Sequence, residues 1–108
     1  MTAMNIVHMR VKPGKEAEFL ALNRRPGLED ELKGLRHLRI VRTGERSYCI
    51  VGEWTDMAAL VAARPAMIRQ LDRERDLLED LGGGRGVTEP WSGDVVVETG
   101  PASVILTG

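Results

Sequence analysis

The chain has 108 residues, which is enough for one domain with a single core but too few for a deep ligand chamber within one subunit. Its sixteen acidic residues nearly balance its fifteen Lys and Arg, so the formal net charge of −1 provides no general attraction to nucleic acid or anionic lipid. Nucleic-acid binding is therefore disfavoured.

Cysteine content and the N-terminal sequence favour a cytoplasmic protein. The single cysteine, Cys49, cannot form an intramolecular disulfide, and its apolar neighbours predict a buried, reduced thiol. The first ten residues lack a charged segment followed by an apolar stretch, and no run reaches the roughly 18 apolar residues of a membrane span. We expect a soluble, unprocessed protein that does not bind membranes.

The chain begins with a strand that turns into a helix. Side chains alternate in polarity from Met4 to Val11, which predicts a β-strand. Pro13 and Gly14 then end the strand, and a first helix is predicted over Lys15 to Arg25. The strand face predicted to meet the helices carries Asn5, Val7, Met9 and Val11, and the other face carries Ile6, His8 and Arg10.

A hairpin is predicted in the middle of the chain. A short helical turn within Leu28 to Gly34 precedes a second strand, Leu35 to Arg42. The connection Thr43 to Arg46 contains Gly44, which we expect to adopt the positive φ of a tight turn. The third strand, Ser47 to Trp54, is the most apolar and is predicted to lie inside the sheet.

The second helix is predicted in two pieces. Thr55 or Asp56 can cap the first piece, Asp56 to Arg64, by accepting a hydrogen bond from a free backbone amide. Pro65 would clash inside a continuous helix and is tolerated in a first turn, so the second piece is predicted over Pro65 to Leu81. The stripe predicted to face the core carries Ile68, Leu71, Arg75 and Leu78.

A fourth strand is predicted over Trp91 to Glu98. The order β-α-β-β-α-β is the split pattern of a ferredoxin-like α+β domain, here residues 1–98, with helices on one face of a four-stranded antiparallel sheet. The tail, residues 99–108, contains the apolar run Ser103 to Leu106, a candidate extra strand that would pair with another strand, for example in a partner subunit.

Three segments resemble the antibiotic biosynthesis monooxygenase (ABM) domain family of the dimeric α/β barrel superfamily. They are VKPGKEAEF from Val11 to Phe19, GLRHLRI from Gly34 to Ile40, and EWTDMAAL from Glu53 to Leu60. The resemblance covers about Met4 to Glu98, and each segment describes a bend, a cap or a core position. It therefore concerns the fold more than the reaction.

The resemblance implies a homodimer in which two four-stranded sheets face each other and close into a barrel, with the helices outside. A sheet covered by helices on one side leaves its other face open, and an apolar open face would be covered by a second copy. We expect the helix-free face to carry Ile6, Tyr48, Ile50, Trp54 and Val96.

Similar proteins include cofactor-independent monooxygenases that act on polycyclic aromatic phenols or quinols, and a haem-degrading branch. The haem-degrading proteins combine an asparagine in strand one with a tryptophan and a histidine on helix two. Helix two of this chain, Asp56 to Leu81, contains neither Trp nor His, so we reject haem degradation. No cofactor is expected.

Two histidines are candidate site residues. If strands one and two turn His8 and His37 to the barrel interior, both can reach a shared pocket, where His8 would accept a phenolic proton because imidazole titrates near neutral pH. A single structural hydrogen bond is the more ordinary role of a strand histidine. Asn5 would suit a carbonyl oxygen, although its alternation places it toward the helices.

Three of the four aromatic side chains are candidates for substrate binding. Tyr48 and Trp54 share one face of strand three, six residues apart, and would either line opposite ends of one cavity or fill the dimer core. Trp91 lies at the start of strand four and would either cover the pocket or cap the end of helix two.

Two arginines are candidates for orienting a ligand, whereas the charged side chains predict no metal site. Arg10 and Arg39 could orient an anionic or quinone-like ligand, with cross-strand pairing to Glu53, Asp94 or Glu98 as the alternative. Two histidines and scattered carboxylates give no close ligand spacing, so no metal is predicted.

The sequence therefore supports a leading hypothesis and two alternatives. The leading one is a homodimer that binds a small aromatic or hydrophobic metabolite between sheet and helices and oxygenates it without a cofactor. A non-enzymatic binding or accessory protein of the same fold is the first alternative, and a cavity of about 300 Å³ or more would separate the two. A muconolactone-isomerase-like enzyme is the second.

Overall fold

A computed structural model describes residues 1–101, in which four antiparallel strands form one sheet in the order β2-β3-β1-β4. The strands are β1 (Ala3–Arg10), β2 (Leu35–Gly44), β3 (Ser47–Trp54) and β4 (Glu89–Asp94). The helices are α1 (Glu16–Leu22), α2 (Leu28–Glu31), α3 (Met57–Ala62) and α4 (Arg64–Glu74), followed by a 3₁₀ turn at Arg75–Leu77. This topology confirms the predicted ferredoxin-like α+β fold, with β3 inside the sheet.

The strand register defines two faces of the sheet. Met9 pairs with Tyr48 and Ala3 pairs with Trp54, and all four side chains are buried under the helices, so we call this the helix-side face. Ile6 pairs with Val51 and with Trp91 in the neighbouring strands. Side chains alternate along a strand, so these pairs belong to the opposite face, which we call the open face.

The predicted content of the open face is largely wrong. Ile6 does lie there, 41% exposed, but Tyr48 and Trp54 are each 1% exposed on the helix-side face. Ile50 pairs with Val7 and shares that face, because β3 presents its even-numbered residues to the helices. Val96 lies beyond the end of β4 and is exposed.

The second helix is divided as predicted, although its second piece is shorter. Asp56 caps α3 by accepting a hydrogen bond from the backbone amide of Ala59 at 2.7 Å. Pro65 lies in the first turn of α4, where its missing amide donor costs no helical hydrogen bond. The helix ends at Glu74, seven residues before the predicted Leu81.

The hairpin turn uses a residue that the sequence did not single out. Arg46, and not Gly44, has the positive φ, at 56°. The Arg46 guanidinium donates to the carbonyl oxygen of Val11 at 2.9 Å and to the Glu79 carboxylate at 2.6 Å. These two contacts hold the strained backbone conformation in place.

The core beneath the sheet consists of two apolar clusters. One surrounds Trp54 and Leu60 at one end of the helix-side face, and the other surrounds Phe19 and Tyr48 at the opposite end. The predicted extra strand in the tail, Ser103 to Leu106, lies outside the described residues.

Candidate functional site

A cavity of about 440 Å³ lies between the helix-side face of the sheet and helix α4. Most of its wall is apolar, with β1, β2, β3, α3 and α4 each contributing. This volume falls within the range of small-molecule sites. Its apolar wall includes Val7, Met9, Leu38, Ile50, Leu60 and Leu71.

The cavity meets solvent beside the edge strand β4. Trp91 and Ile68 both line it and are 54% and 56% exposed, so they mark its mouth. On the β4 side, the short side chains Pro90 and Ser92 stand opposite Val7 and Asn5 in the register. Because these side chains are small, the space between β4 and α4 is left unfilled.

One buried hydrogen bond fixes the inner end of the cavity. Trp54 donates from Nε1 to the Oδ1 atom of Asn5 at 2.7 Å, and both residues line the cavity. Gly52 pairs with Asn5 across the two strands and lies two residues before Trp54 on the same face of β3. A Cβ atom there would overlap Asn5 Oδ1 and lie 2.9 Å from Trp54 Nε1, so only glycine permits this pair.

The same bond directs the amide group of Asn5. Its Oδ1 is occupied by Trp54, so the Nδ2 group is the donor left for other partners. Its partner is the Sδ atom of Met67 at 3.7 Å, and a thioether is a weak acceptor. A ligand oxygen in the cavity would be a stronger acceptor for this amide group than the Met67 thioether.

A buried glutamate, Glu74, lines the other end of the cavity. Glu74, at the last position of α4, is 1% exposed, and its Oε2 accepts a hydrogen bond from Asn23 Nδ2 at 2.8 Å. Burial raises the pKa of Glu74 to about 7, because it disfavours the charged carboxylate more than the neighbouring Asn23 and Gln70 amides favour it. The carboxyl group is therefore divided between both protonation states near neutral pH.

Gln70 joins this end of the cavity to the charged surface. Its Nε2 donates to the carbonyl oxygen of Leu22 at 3.0 Å, and its Oε1 accepts from Arg25 and Arg73 at 3.2 and 3.1 Å. Arg25 also donates to Glu31, which lowers the pKa of that carboxyl. These contacts fix the side of α4 next to Glu74.

The predicted histidines lie on the open face, away from the cavity. His8 Nε2 is 2.9 Å from the Ser47 hydroxyl, and its Nδ1 is 3.9 Å from Glu89. His37 pairs with Glu53 of β3, and Glu53 pairs on its other side with Met4 of β1. His37 is therefore separated from β1 by one strand and is level with Met4, four residues along β1 from His8. The structure does not bring them together.

The predicted arginines and aromatic residues are divided between the two faces. Arg10 and Arg39 lie on the open face and form no ion pair within residues 1–101. Trp54 and Trp91 line the cavity. Tyr48 shares the face of Trp54, but its hydroxyl donates to Glu16 and accepts from Arg42, outside the cavity wall.

Sequence reasoning missed Gln70 and Glu74 because it assigned a different stripe of helix two to the core, including Ile68 and Arg75, which are both exposed. The buried stripe is Ala63, Ala66, Gln70 and Glu74. Its spacing of three, four and four residues is helical, and two polar residues that continue an alanine stripe are the signal that could have revealed them.

Two further properties concern residues 1–101. No helix in this range is long and apolar enough to cross a membrane. Over the same range, no group of three or more His, Cys, Asp and Glu side chains is arranged to hold a metal ion.

A known protein family matches the first part of the chain, which holds β1 to β3. Residues 2–65 match the profile of the antibiotic biosynthesis monooxygenase family, which covers more than half of the chain. The chain belongs to this family. The match confirms the resemblance drawn from the sequence. No protein of curated function is significantly similar to this ABM chain by sequence.

Solved structures share the fold of this ABM chain. A mutant of SnoaB, a cofactor-independent oxygenase from Streptomyces nogalater, is 19% identical with a TM-score of 0.69, covering 93% of this chain and 97% of SnoaB. An ABM-type protein from Nitrosomonas europaea is 14% identical with a TM-score of 0.71, at 92% and 94% coverage. Another, from Chloroflexus aurantiacus, is 15% identical with a TM-score of 0.66, at 93% and 98% coverage. At these identities the likeness establishes the fold.

Proposed function

We propose that the cavity binds a small aromatic or hydrophobic metabolite and that the protein oxygenates it with dioxygen and no cofactor. The observation that carries the proposal is the apolar cavity of about 440 Å³ with the Asn5 amide donor held at one end. Family membership and the fold shared with a cofactor-independent oxygenase support the same reaction class.

The chemistry requires a substrate that becomes electron-rich when it loses a proton. An anthrone-type compound is suitable, because its enolate can transfer an electron to dioxygen. In the complete reaction the CH₂ group becomes a carbonyl, one oxygen atom enters the product, and the second leaves as water with the two hydrogens. Four electrons pass from carbon to dioxygen, so the reaction needs no other oxidant.

The protein would contribute orientation, exclusion of water and stabilisation of the developing anion. Asn5 Nδ2 would donate to the substrate oxygen on which negative charge accumulates, in place of its weak contact with Met67. Trp54 holds the Asn5 amide in a single orientation before the substrate enters. The apolar wall would remove water from the anion and from dioxygen.

We further propose that two copies of the chain pair through their open faces. Ile6, Val41 and Trp91 are 41%, 44% and 54% exposed, and Val51 and Cys49 lie between them on β3. A self-complementary contact would cover these apolar side chains in both copies at once. The cavity lies on the opposite face of the sheet, apart from its mouth at Trp91.

Oxygen uptake with anthrone as the probe tests the proposed reaction. We expect uptake above the buffer rate and formation of anthraquinone, and a rate reduced by about 10²-fold in Asn5→Ala because one oxyanion donor is lost. Quenching of tryptophan fluorescence measures anthrone binding separately. Binding without oxygen uptake would contradict oxygenation and favour the non-enzymatic alternative, and absence of both would contradict the proposed function altogether.

A further inference from the structure

We propose that Glu74 is the proton acceptor of the cavity and that Asn23 positions its carboxylate. The inference rests on the proposed function, since it names the base of that same site. It differs from the expectation drawn from the sequence, which gave this role to His8.

The position of Glu74 carries the inference. Glu74 is one of the residues that line the cavity proposed to hold the substrate, and its 1% exposure leaves bulk water almost no contact with it. Asn23 Nδ2 donates to Oε2 at 2.8 Å and also to the carbonyl oxygen of Phe19 at 2.9 Å, so the amide is held from α1. Oε1 forms no hydrogen bond within the described residues, which leaves one carboxylate oxygen for a substrate proton.

The surroundings allow this carboxyl group to change its charge. Apolar Met9, Leu71 and Phe19 lie on the elements packed around it, and Asn23 and Gln70 are its polar neighbours. The charged groups on these elements reach it only indirectly. Arg25 and Arg73 donate to Gln70 and form ion pairs with Glu31. Arg64 lines the cavity at the start of α4. Glu16 and Arg42 are hydrogen-bonded to the Tyr48 hydroxyl.

Burial raises the pKa of Glu74 to about 7, close to the range in which a general base is most effective. A purely structural contact to Asn23 would not require a carboxyl group. A glutamine there could accept the same hydrogen bond without the free-energy cost of burying a charge.

The proton step is simple. The acidic C–H or O–H bond of the bound substrate breaks, its electron pair remains on the substrate as the enolate or phenolate, and the proton forms a new O–H bond on Glu74. The complex keeps one negative charge, which moves from the carboxylate to the substrate. That anion is the species that reduces dioxygen in the proposed reaction.

Carboxyl NMR tests whether Glu74 meets a cavity ligand, independently of any turnover. With ¹³Cδ-labelled glutamate and 1-naphthol as the probe, we expect one resonance that titrates near pH 7, disappears in Glu74→Gln and shifts when 1-naphthol is added. A Glu74 resonance that 1-naphthol leaves unmoved would overturn the inference, whether or not the protein oxygenates anthrone.

Oxygen uptake with anthrone tests the role in the reaction. The wild-type rate should rise with pH through about 7 and level off above it, because the carboxylate is the active form. Glu74→Gln should lose about 10²-fold and this pH dependence. Glu29→Gln, at an exposed carboxyl group, is the matched control and should retain both.

Two further variants separate the possible failures. His8→Ala should retain the wild-type rate of oxygen uptake. If His8→Ala instead lost activity while Glu74→Gln kept full activity, the base would be His8 and not Glu74. Asn23→Ala should move the pH midpoint upward, because the carboxylate loses a stabilising donor, and an unchanged midpoint would contradict the positioning role. A wild-type protein without uptake would contradict the proposed function, while the NMR result still decides whether Glu74 meets a cavity ligand.

Discussion

The two faces of the sheet hold polar groups under opposite conditions. Beneath the helix-side face they are few and buried, and Asn5 of β1 and Gln70 and Glu74 of α4 are each hydrogen-bonded. On the open face, His37 and Arg39 are exposed, and His8 is partly exposed beside Ser47 and Glu89. The strands are the same in both cases, so the difference comes from what covers them.

This contrast teaches that residue type alone does not locate proton chemistry. Histidine is the residue type whose ordinary pKa lies nearest neutral pH, yet here both histidines lie on the face opposite the cavity. Glutamate is ordinarily ionised at neutral pH, but burial brings the pKa of Glu74 to about 7 beside the cavity. Desolvation, and therefore the position of a residue in the fold, decides which group can act.

The largest difference between the faces is expected for the two tryptophans. Trp54→Ala removes a fully buried side chain and leaves Asn5 without its donor, so we expect a loss of about 3–5 kcal/mol in the free energy of unfolding. Trp91→Ala, at a half-exposed position, should cost about 1 kcal/mol or less. Urea unfolding measures both, and equal losses would mean that Trp54 does not anchor the helix-side core.

Two glycines in the sheet provide the next test. Gly52→Ala should destabilise the fold by about 3 kcal/mol, because its Cβ would overlap Asn5 and crowd Trp54. Gly93 is the matched control: it lies in a strand, and a Cβ there would meet nothing within 4 Å. Gly93→Ala should leave the unfolding midpoint unchanged or raise it. A tolerated Gly52→Ala would show that the Asn5–Trp54 bond is dispensable.

Glu74 should make stability depend on pH. Its pKa is raised in the folded state, so its stabilising contribution is present in full below the ordinary pKa of 4.5 and is lost as the pH rises through about 7. Glu74→Gln removes this dependence and should be more stable than wild type at pH 8, by on the order of 2 kcal/mol, with little difference at pH 4.5. Thermal unfolding at both pH values measures the gap, and a gap that does not change with pH would mean that Glu74 titrates normally.

The fold could be predicted from the sequence because local signals and topology agreed. Alternation located β1 and β2, an apolar run located β3, Asp56 and Pro65 marked the helix starts, and the element order specified the sheet. The assignment of Asn5 to the helix-side face was correct for the same reason, since a strand with one polar face has only one sensible orientation.

The candidate site could be predicted only in part, because strand β3 is apolar on both faces. Without a polar side, alternation groups Tyr48 with Trp54 but does not say which face the helices cover, and the wrong face was chosen. Glu74 was missed for a different reason. A charged residue is normally assigned to solvent, and only the tertiary contacts with Asn23 and the cavity reverse that assignment.

The smallest effect on folding, and the clearest test of the open face, is expected at Ile6. An aspartate at this 41% exposed position should change the unfolding free energy of a separate chain by only about 0.5 kcal/mol. In a pair of subunits joined through the open face, two buried carboxylates would oppose each other, so Ile6→Asp should halve the mass measured by sedimentation. Val61→Asp on α3, at 46% exposure, is the matched control and should leave the mass unchanged. A wild-type chain that sediments as a single subunit at micromolar concentration would contradict the pairing, while the cavity on the helix-side face would still be present in each copy.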